Sequence, residues 1–157
     1  MIKVLFVCLG NICRSPMAEF VLKEMVRQKH WQGNFMIDSA ATSSEEIGND
    51  MHRGTKKKLT EENIPYTPRA ARKLVPADYE KFDYLIGMEE RNIRNMQRIL
   101  GGDPGKKIYK LLDFTSNPRD IADPWYTGNF DKTYQDVVEG CTGFLDFLCR
   151  NEKNMID

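Results

Sequence analysis

Two residues able to do chemistry together, Cys8 and Arg14, stand with five residues between them, after an apolar run and at the start of a helical pattern. The stretch Val7-Cys8-Leu9-Gly10-Asn11-Ile12-Cys13-Arg14-Ser15 follows the β-formers Lys3 to Val7. Ser15-Pro16 then opens the helix, where a first-turn proline tolerates its missing N–H. A loop running from a strand into a helix N-terminus turns backbone N–H groups inward and makes a nest for an anion. Gly10 allows a tight curl, and Asn11 tolerates a left-handed conformation. Arg14 can fork two N–H donors onto a tetrahedral oxyanion. The field that attracts a phosphate also favours a thiolate, so Cys8, at the floor of the nest, is expected to be a nucleophile. The plainer alternative is a buried structural cysteine beside a surface arginine.

The elements that must hold this loop follow from periodicity. Pro16 to Gln28 reads as a helix, with Ala18, Val21, Leu22 and Met25 on one stripe. Phe35 to Ala40 is a second strand, and Thr42 to Asn49 a polar loop. Asp50 is expected to cap a helix over Met51 to Glu62, whose Lys56-Lys57-Lys58 run reads as a solvated face. Tyr66 to Pro76 is loop, and Ala77 to Lys81 a short helical turn. Tyr84 to Met88 is a third strand and Glu89 to Leu100 a helix, with Ile93, Met96 and Leu100 inward. Gly101 to Gly105 breaks the chain before a short strand over Lys107 to Leu111. Leu112 to Asn129 shows no period, and a loop that long in a compact domain is usually functional. Asp131 is expected to cap the last helix, which runs to about Arg150. Its stripe includes Cys141, read as an inert buried thiol, and Cys149 beside it is read as neutral. The β-α-β-α-β-α-β-α order predicts an α/β fold: a four-stranded parallel sheet with helices on both faces. The phosphate loop then joins strand 1 to helix 1 and the site lies beyond the carboxyl ends of the strands.

Composition narrows the class. The 157 residues suit one domain, residues 1–157. With 23 basic and 23 acidic residues the net charge is zero, which argues against a nucleic-acid surface. No apolar run approaches membrane-spanning length. The four cysteines need not pair in a domain with a full core, and a thiolate enzyme needs a reducing compartment, so a cytoplasmic protein is expected. The two histidines, His30 and His52, lie far apart, and no metal-ligand spacing occurs, so no metal or other cofactor is expected. A monomer, or at most a weak dimer, is expected.

C-L-G-N-I-C-R-S-P-M-A-E directly after the first strand resembles the phosphate loop of the low-molecular-weight protein tyrosine phosphatases. The resemblance extends over residues 3 to 149. It implies a phosphotyrosine phosphatase that works through a phosphocysteine on Cys8, with phosphotyrosine proteins as partners. It also implies a general acid in an Asp-Pro-aromatic motif. Asp123 in Ile121-Ala122-Asp123-Pro124-Trp125-Tyr126 matches, and Pro124 restricts Asp123 to extended backbone. Taken alone the pair reads as an Asp-Pro turn, and Asp120 is the alternative acid. Leu9, Ile12, Trp125 and Tyr126 form an apolar slot for a flat ring over the phosphate, which the loop residues Gly10, Asn11, Ile12, Cys13 and Ser15 would hold. Phosphoserine is too short to reach Cys8 through such a slot. The similar protein arginine phosphatases carry threonine where this chain has Ile12.

In the family a hydrogen-bond network shapes the loop. Asn11 and Ser15 match it, and Ser39 resembles its third member. Eukaryotic members place a histidine where this chain has Arg69, and an aromatic residue often stands where it has Ser43-Ser44-Glu45-Glu46. Glu45 and Glu46 either line the mouth or belong to a solvated loop. Cys13 is expected to pair with Cys8 under oxidation, or else only to pack the loop. Two rival readings share parts of this pattern. A thiol-dependent arsenate reductase would need two further cysteines after the third strand, and Tyr79 to Leu111 has none. A phosphate-binding module would need neither Cys8 nor Asp123.

Overall fold

Four parallel strands in the order β2-β1-β3-β4 form the sheet of the computed structural model, which describes residues 1–152. The strands are β1 (Ile2–Cys8), β2 (Phe35–Ala41), β3 (Tyr84–Gly87) and β4 (Ile108–Lys110). The helices are α1 (Arg14–Gln28), α2 (Arg53–Glu61), α3 (Asp78–Lys81), α4 (Glu90–Leu100), α5 (Pro124–Thr127) and α6 (Phe130–Asn151). Short 3-10 turns cover Gln32–Asn34 and Leu111–Phe114.

Alternation along β1 separates two cores. Val4, Phe6 and Cys8 face Met17, Val21, Val137, Cys141 and Phe144 of α1 and α6. Leu5 and Val7 face Leu74, Phe82 and Met96 on the other side. Both faces are therefore covered, and a parallel strand with two buried faces must be apolar throughout. The chain leaves β1 for β2 on one side and later returns to β3 on the other. This reversal opens a crevice at the carboxyl end of β1, where the Cys8 loop lies. Among the described residues no helix is long and apolar enough to cross a membrane.

Several local expectations change. Asp50 does not cap α2: His52 does, its Nδ1 accepting the Gly54 N–H at 2.9 Å. Asp50 instead accepts from the Met51 N–H at 2.7 Å and pairs with Lys56 at 3.0 Å. Asn129, not Asp131, caps α6, accepting the Lys132 N–H at 2.9 Å. Asp131 sits one position inside the helix and pairs with Lys58 at 2.8 Å. That ion pair, a second to Glu62 at 3.3 Å and the Tyr134 ring at 5.3 Å cover Lys58, whose side chain is only 12% exposed. The lysine run is therefore not one solvated face. The aperiodic stretch after β4 contains the one-turn helix α5, with Asp123 as its cap and Pro124 at its first position. Cys141 is fully buried, which pushes its thiol up, and Cys149 is exposed.

Candidate active site

The phosphate loop is held from outside by its own carbonyls. Cys8 O accepts from Thr42 N at 2.9 Å, Leu9 O from Ser43 N at 3.0 Å, and Ile12 O from His52 N at 2.9 Å. Asn11 O accepts from Arg69 Nη2 at 2.6 Å. With the carbonyls drawn outward, N–H groups turn inward, and those of Asn11 and Ser15 point at Cys8 Sγ from 3.3 and 3.4 Å. The curl is made by Asn11, at φ 59, while Gly10 keeps an ordinary φ. Asparagine is the residue type that adopts this left-handed conformation at least cost among those with a side chain. Nor is glycine required at 10 for space, since Glu46 Cγ would lie 3.4 Å from an added Cβ, an ordinary contact.

Every polar group of Asn11 is engaged. Its Nδ2 donates to Ser15 Oγ at 2.8 Å and to Ser39 Oγ at 2.9 Å. Its Oδ1 accepts from Arg72 N at 3.2 Å. Ser39 Oγ in turn donates to Glu19 Oε1 at 2.6 Å. Since Ser15 Oγ already accepts from Asn11, its proton is free to point at Cys8 Sγ, 3.0 Å away. The result is a one-directional chain of donors from Asn11 through Ser15 to sulfur, anchored on a buried carboxylate. The three serine and asparagine positions expected in the network do meet. Glu19 was missed, although it falls four residues after Ser15 on α1, one helical turn away. Arg69, in place of a histidine, holds the loop through its backbone.

Arg14 opens α1 and is 1% exposed. Nη1 donates to Glu89 Oε2 at 2.6 Å and to Ile121 O at 2.8 Å, and Nη2 lies 3.3 Å from Asp123 Oδ2. Nε has no partner among the described residues. A buried unpaired donor is costly, and the Arg14 guanidinium lies close enough to Cys8 for their charges to interact, so an oxyanion bound at Cys8 is a suitable partner for it. Burial works against the guanidinium charge, but the charges of Cys8, Asp123 and Glu89 more than offset it and hold Arg14 above its ordinary value. Glu89 escaped the sequence reading. Its signal is its place just after β3, at the carboxyl edge where sites form.

Asp123 brings its carboxyl to the same place. Oδ1 accepts the Trp125 N–H at 3.0 Å as the α5 cap, which leaves Oδ2 facing Arg14. Asp120, three residues earlier, faces away and binds the Glu90 N–H and Lys110 Nζ, each at 3.1 Å. One cleft is lined by Cys8, Asp123 and the four slot residues Leu9, Ile12, Trp125 and Tyr126. Glu45 and Glu46 line it too.

A nucleophilic thiol, an arginine with a free buried N–H and a carboxyl group thus share one anion nest. The family model for low molecular weight phosphotyrosine protein phosphatase matches residues 3–154. The chain belongs to the low-molecular-weight protein tyrosine phosphatase family. The phosphatase YfkJ of Bacillus subtilis is 41% identical over 147 residues, covering 92% of this chain and 94% of the relative. The crystal structure of YfkJ superposes with a TM-score of 0.93 at 38% identity, covering 97% of each chain. That of the phosphatase from Streptococcus pyogenes gives 0.85 at 41% identity, covering 98% of this chain and 97% of the other. A Drosophila arginine phosphatase also shares the fold, with a TM-score of 0.84 at 28% identity over 93% of this chain and 97% of the other. The expected α/β fold and phosphatase class therefore hold.

Proposed function

We propose that this phosphatase cleaves phosphotyrosine with Cys8 as nucleophile, Arg14 as oxyanion clamp and Asp123 as general acid and then base. The observation that carries this reading is the convergence of Cys8 Sγ, the unpaired Arg14 Nε and Asp123 Oδ2 on one nest. Cys8 thiolate attacks phosphorus in line and expels the phenolate, to which Asp123 gives a proton. Arg14 and the loop N–H groups hold the equatorial oxygens as charge spreads over them. Water, losing a proton to Asp123, then displaces Cys8 and releases phosphate. No metal enters these steps. The slot of Leu9, Ile12, Trp125 and Tyr126 favours an aromatic leaving group, and Ile12 favours phosphotyrosine over phosphoarginine. We read the chain as one domain, monomeric and cytoplasmic, acting on phosphotyrosine proteins. Turnover of a chromogenic aryl phosphate with a chelator present tests the reading, with Cys8→Ser as control.

Cys13 lines the same cleft as Cys8. Burial first, then the Cys8 and Asp123 charges, push its thiol up to about 12. It is therefore a neutral bystander while Cys8 is reduced. Peroxide converts Cys8 to a sulfenic acid and removes one of the charges holding the Cys13 proton. Cys13 sulfur then attacks Cys8, expelling water and closing a disulfide that two equivalents of thiol reopen. Wild type should recover activity after peroxide and reductant, and Cys13→Ser should recover less. Equal recovery would mean that Cys13 only packs the loop.

The glutamates should select substrates. A carboxylate at the mouth repels acidic neighbours of a phosphotyrosine and attracts basic ones. An exposed charge pair is worth about 0.2–1 kcal/mol, so the preference for basic over acidic peptides should be about 1.4- to 5-fold per pair and shrink with salt. Glu45→Trp should reduce that preference and tighten aryl substrates. Unchanged kcat/KM ratios at low and high salt would mean that these residues do not face the peptide.

A further inference from the structure

His52 belongs to neither the loop nor the acid motif, yet contacts from three parts of the fold converge on it. Its backbone N–H donates to Ile12 O of the phosphate loop at 2.9 Å. Its Nδ1 caps α2 by accepting the Gly54 N–H at 2.9 Å, which fixes the ring plane. The ring stacks on Phe130 at 5.3 Å and 23° and meets the edge of Trp125 at 5.6 Å and 83°. Phe130 can lie this close only because residue 54 is glycine, where a Cβ would stand 2.4 Å from Phe130 Cζ.

Trp125 needs such a support. It rides on the four-residue helix α5 and is 55% exposed, so little burial of its own holds its ring. We propose that His52 is a positioning residue: its ring, clamped between Phe130 and the α2 cap, holds Trp125 upright as the aromatic wall of the phosphate cleft. One residue then ties the wall to the loop, its ring against Trp125 and its backbone N–H on Ile12 O. A substrate ring entering the slot meets a wall already in place, so little ordering is left to binding. The inference rests on the phosphotyrosine reading of the cleft.

Two variants separate the two duties of the side chain. His52→Asn keeps a strong cap acceptor and loses the ring. His52→Phe keeps an aromatic face toward Phe130 and Trp125 and loses the cap acceptor. In His52→Asn the preference in kcat/KM for aryl over alkyl phosphates should fall by about 2- to 12-fold, the worth of one aromatic pair. The fall should approach that of Trp125→Ala, through KM more than kcat, while Tm stays near wild type. In His52→Phe the preference should persist and Tm should drop by a few degrees. A Trp31→Phe background leaves Trp125 as the only tryptophan, and its fluorescence reads the wall without catalysis. Acrylamide should quench it more readily in His52→Asn than in the parent and no more readily in His52→Phe. If His52→Asn keeps both the aryl preference and the parental quenching, the ring does not hold the wall. If both variants lose preference in proportion to Tm, His52 serves stability alone and the proposal fails. A parent protein that turns over no aryl phosphate would instead overturn the catalytic reading, and the quenching comparison would still decide the role of His52.

Discussion

Cys8→Ser should abolish turnover of aryl phosphates, to the limit of detection, while phosphate-site ligands still bind. The sulfur sits within 3.0–3.4 Å of three donor groups, from Asn11, Ser15 N–H and the Ser15 hydroxyl. Serine fits that space, but near neutral pH its hydroxyl keeps its proton, and Asp123, which enters this step as the acid, already holds one. The loop itself should persist, because its geometry depends on the carbonyl partners and on Asn11 rather than on sulfur. Binding of inorganic phosphate or vanadate to the serine variant, measured calorimetrically, checks that loss of activity is loss of the nucleophile. Residual turnover above about a thousandth of wild type would point to another attacking group, since activated nucleophiles contribute on that order or more.

Asp123→Ala should lower kcat by roughly 10²–10⁴ for phenols of high pKa, with KM little changed. A good leaving group such as p-nitrophenol needs less help, so the loss there should be smaller. Asp123 also touches Arg14 at 3.3 Å, so the variant removes an ion pair as well as an acid. Asp123→Asn keeps the cap to Trp125 N–H and a polar group beside Arg14, and separates these effects. If the asparagine variant matches the alanine variant in kcat, the lost proton donor accounts for both. If Asp123→Ala retains near-wild-type kcat with a high-pKa phenol, the acid assignment is wrong. Asp120 would then be tested, although its carboxylate is engaged by Lys110 and the start of α4.

The remaining residues at the site divide by how they work on Arg14 and Cys8. Glu89 and Ile121 O occupy Nη1, so the guanidinium is fixed before substrate arrives, with its buried Nε–H left unpaired among the described residues. Glu19, Ser39 and Asn11 do the same for Ser15 and, through it, for sulfur. Preorganised donors are effective in catalysis because they need not reorient as charge develops.

The sequence by itself determined what local chain geometry controls. Cys8 and Arg14 lie within one strand–loop–helix unit, so their spacing alone places both at one helix N-terminus. The strands were legible as short apolar runs, because both faces of the sheet are buried, and the long helices because a period of 3.6 records which side is buried. Helix ends were less so: Asp50 and His52, or Asn129 and Asp131, are competing caps two positions apart, and packing chooses between them. His52 prevails where its ring gains Phe130 and Trp125, and Asp131 yields its place by reaching Lys58. Tertiary structure alone decided the long-range partners. Glu89 and Ile121 reach Arg14 across 75 and 107 residues, and Arg69 and Arg72 reach Asn11 across 58 and 61. It also decided which of two carboxyls three residues apart faces the thiol, because that depends on where the chain turns into α5. Such pairings carry no period and no fixed spacing; they exist only once the parallel strands bring the ends of separate βα units to one edge of the sheet.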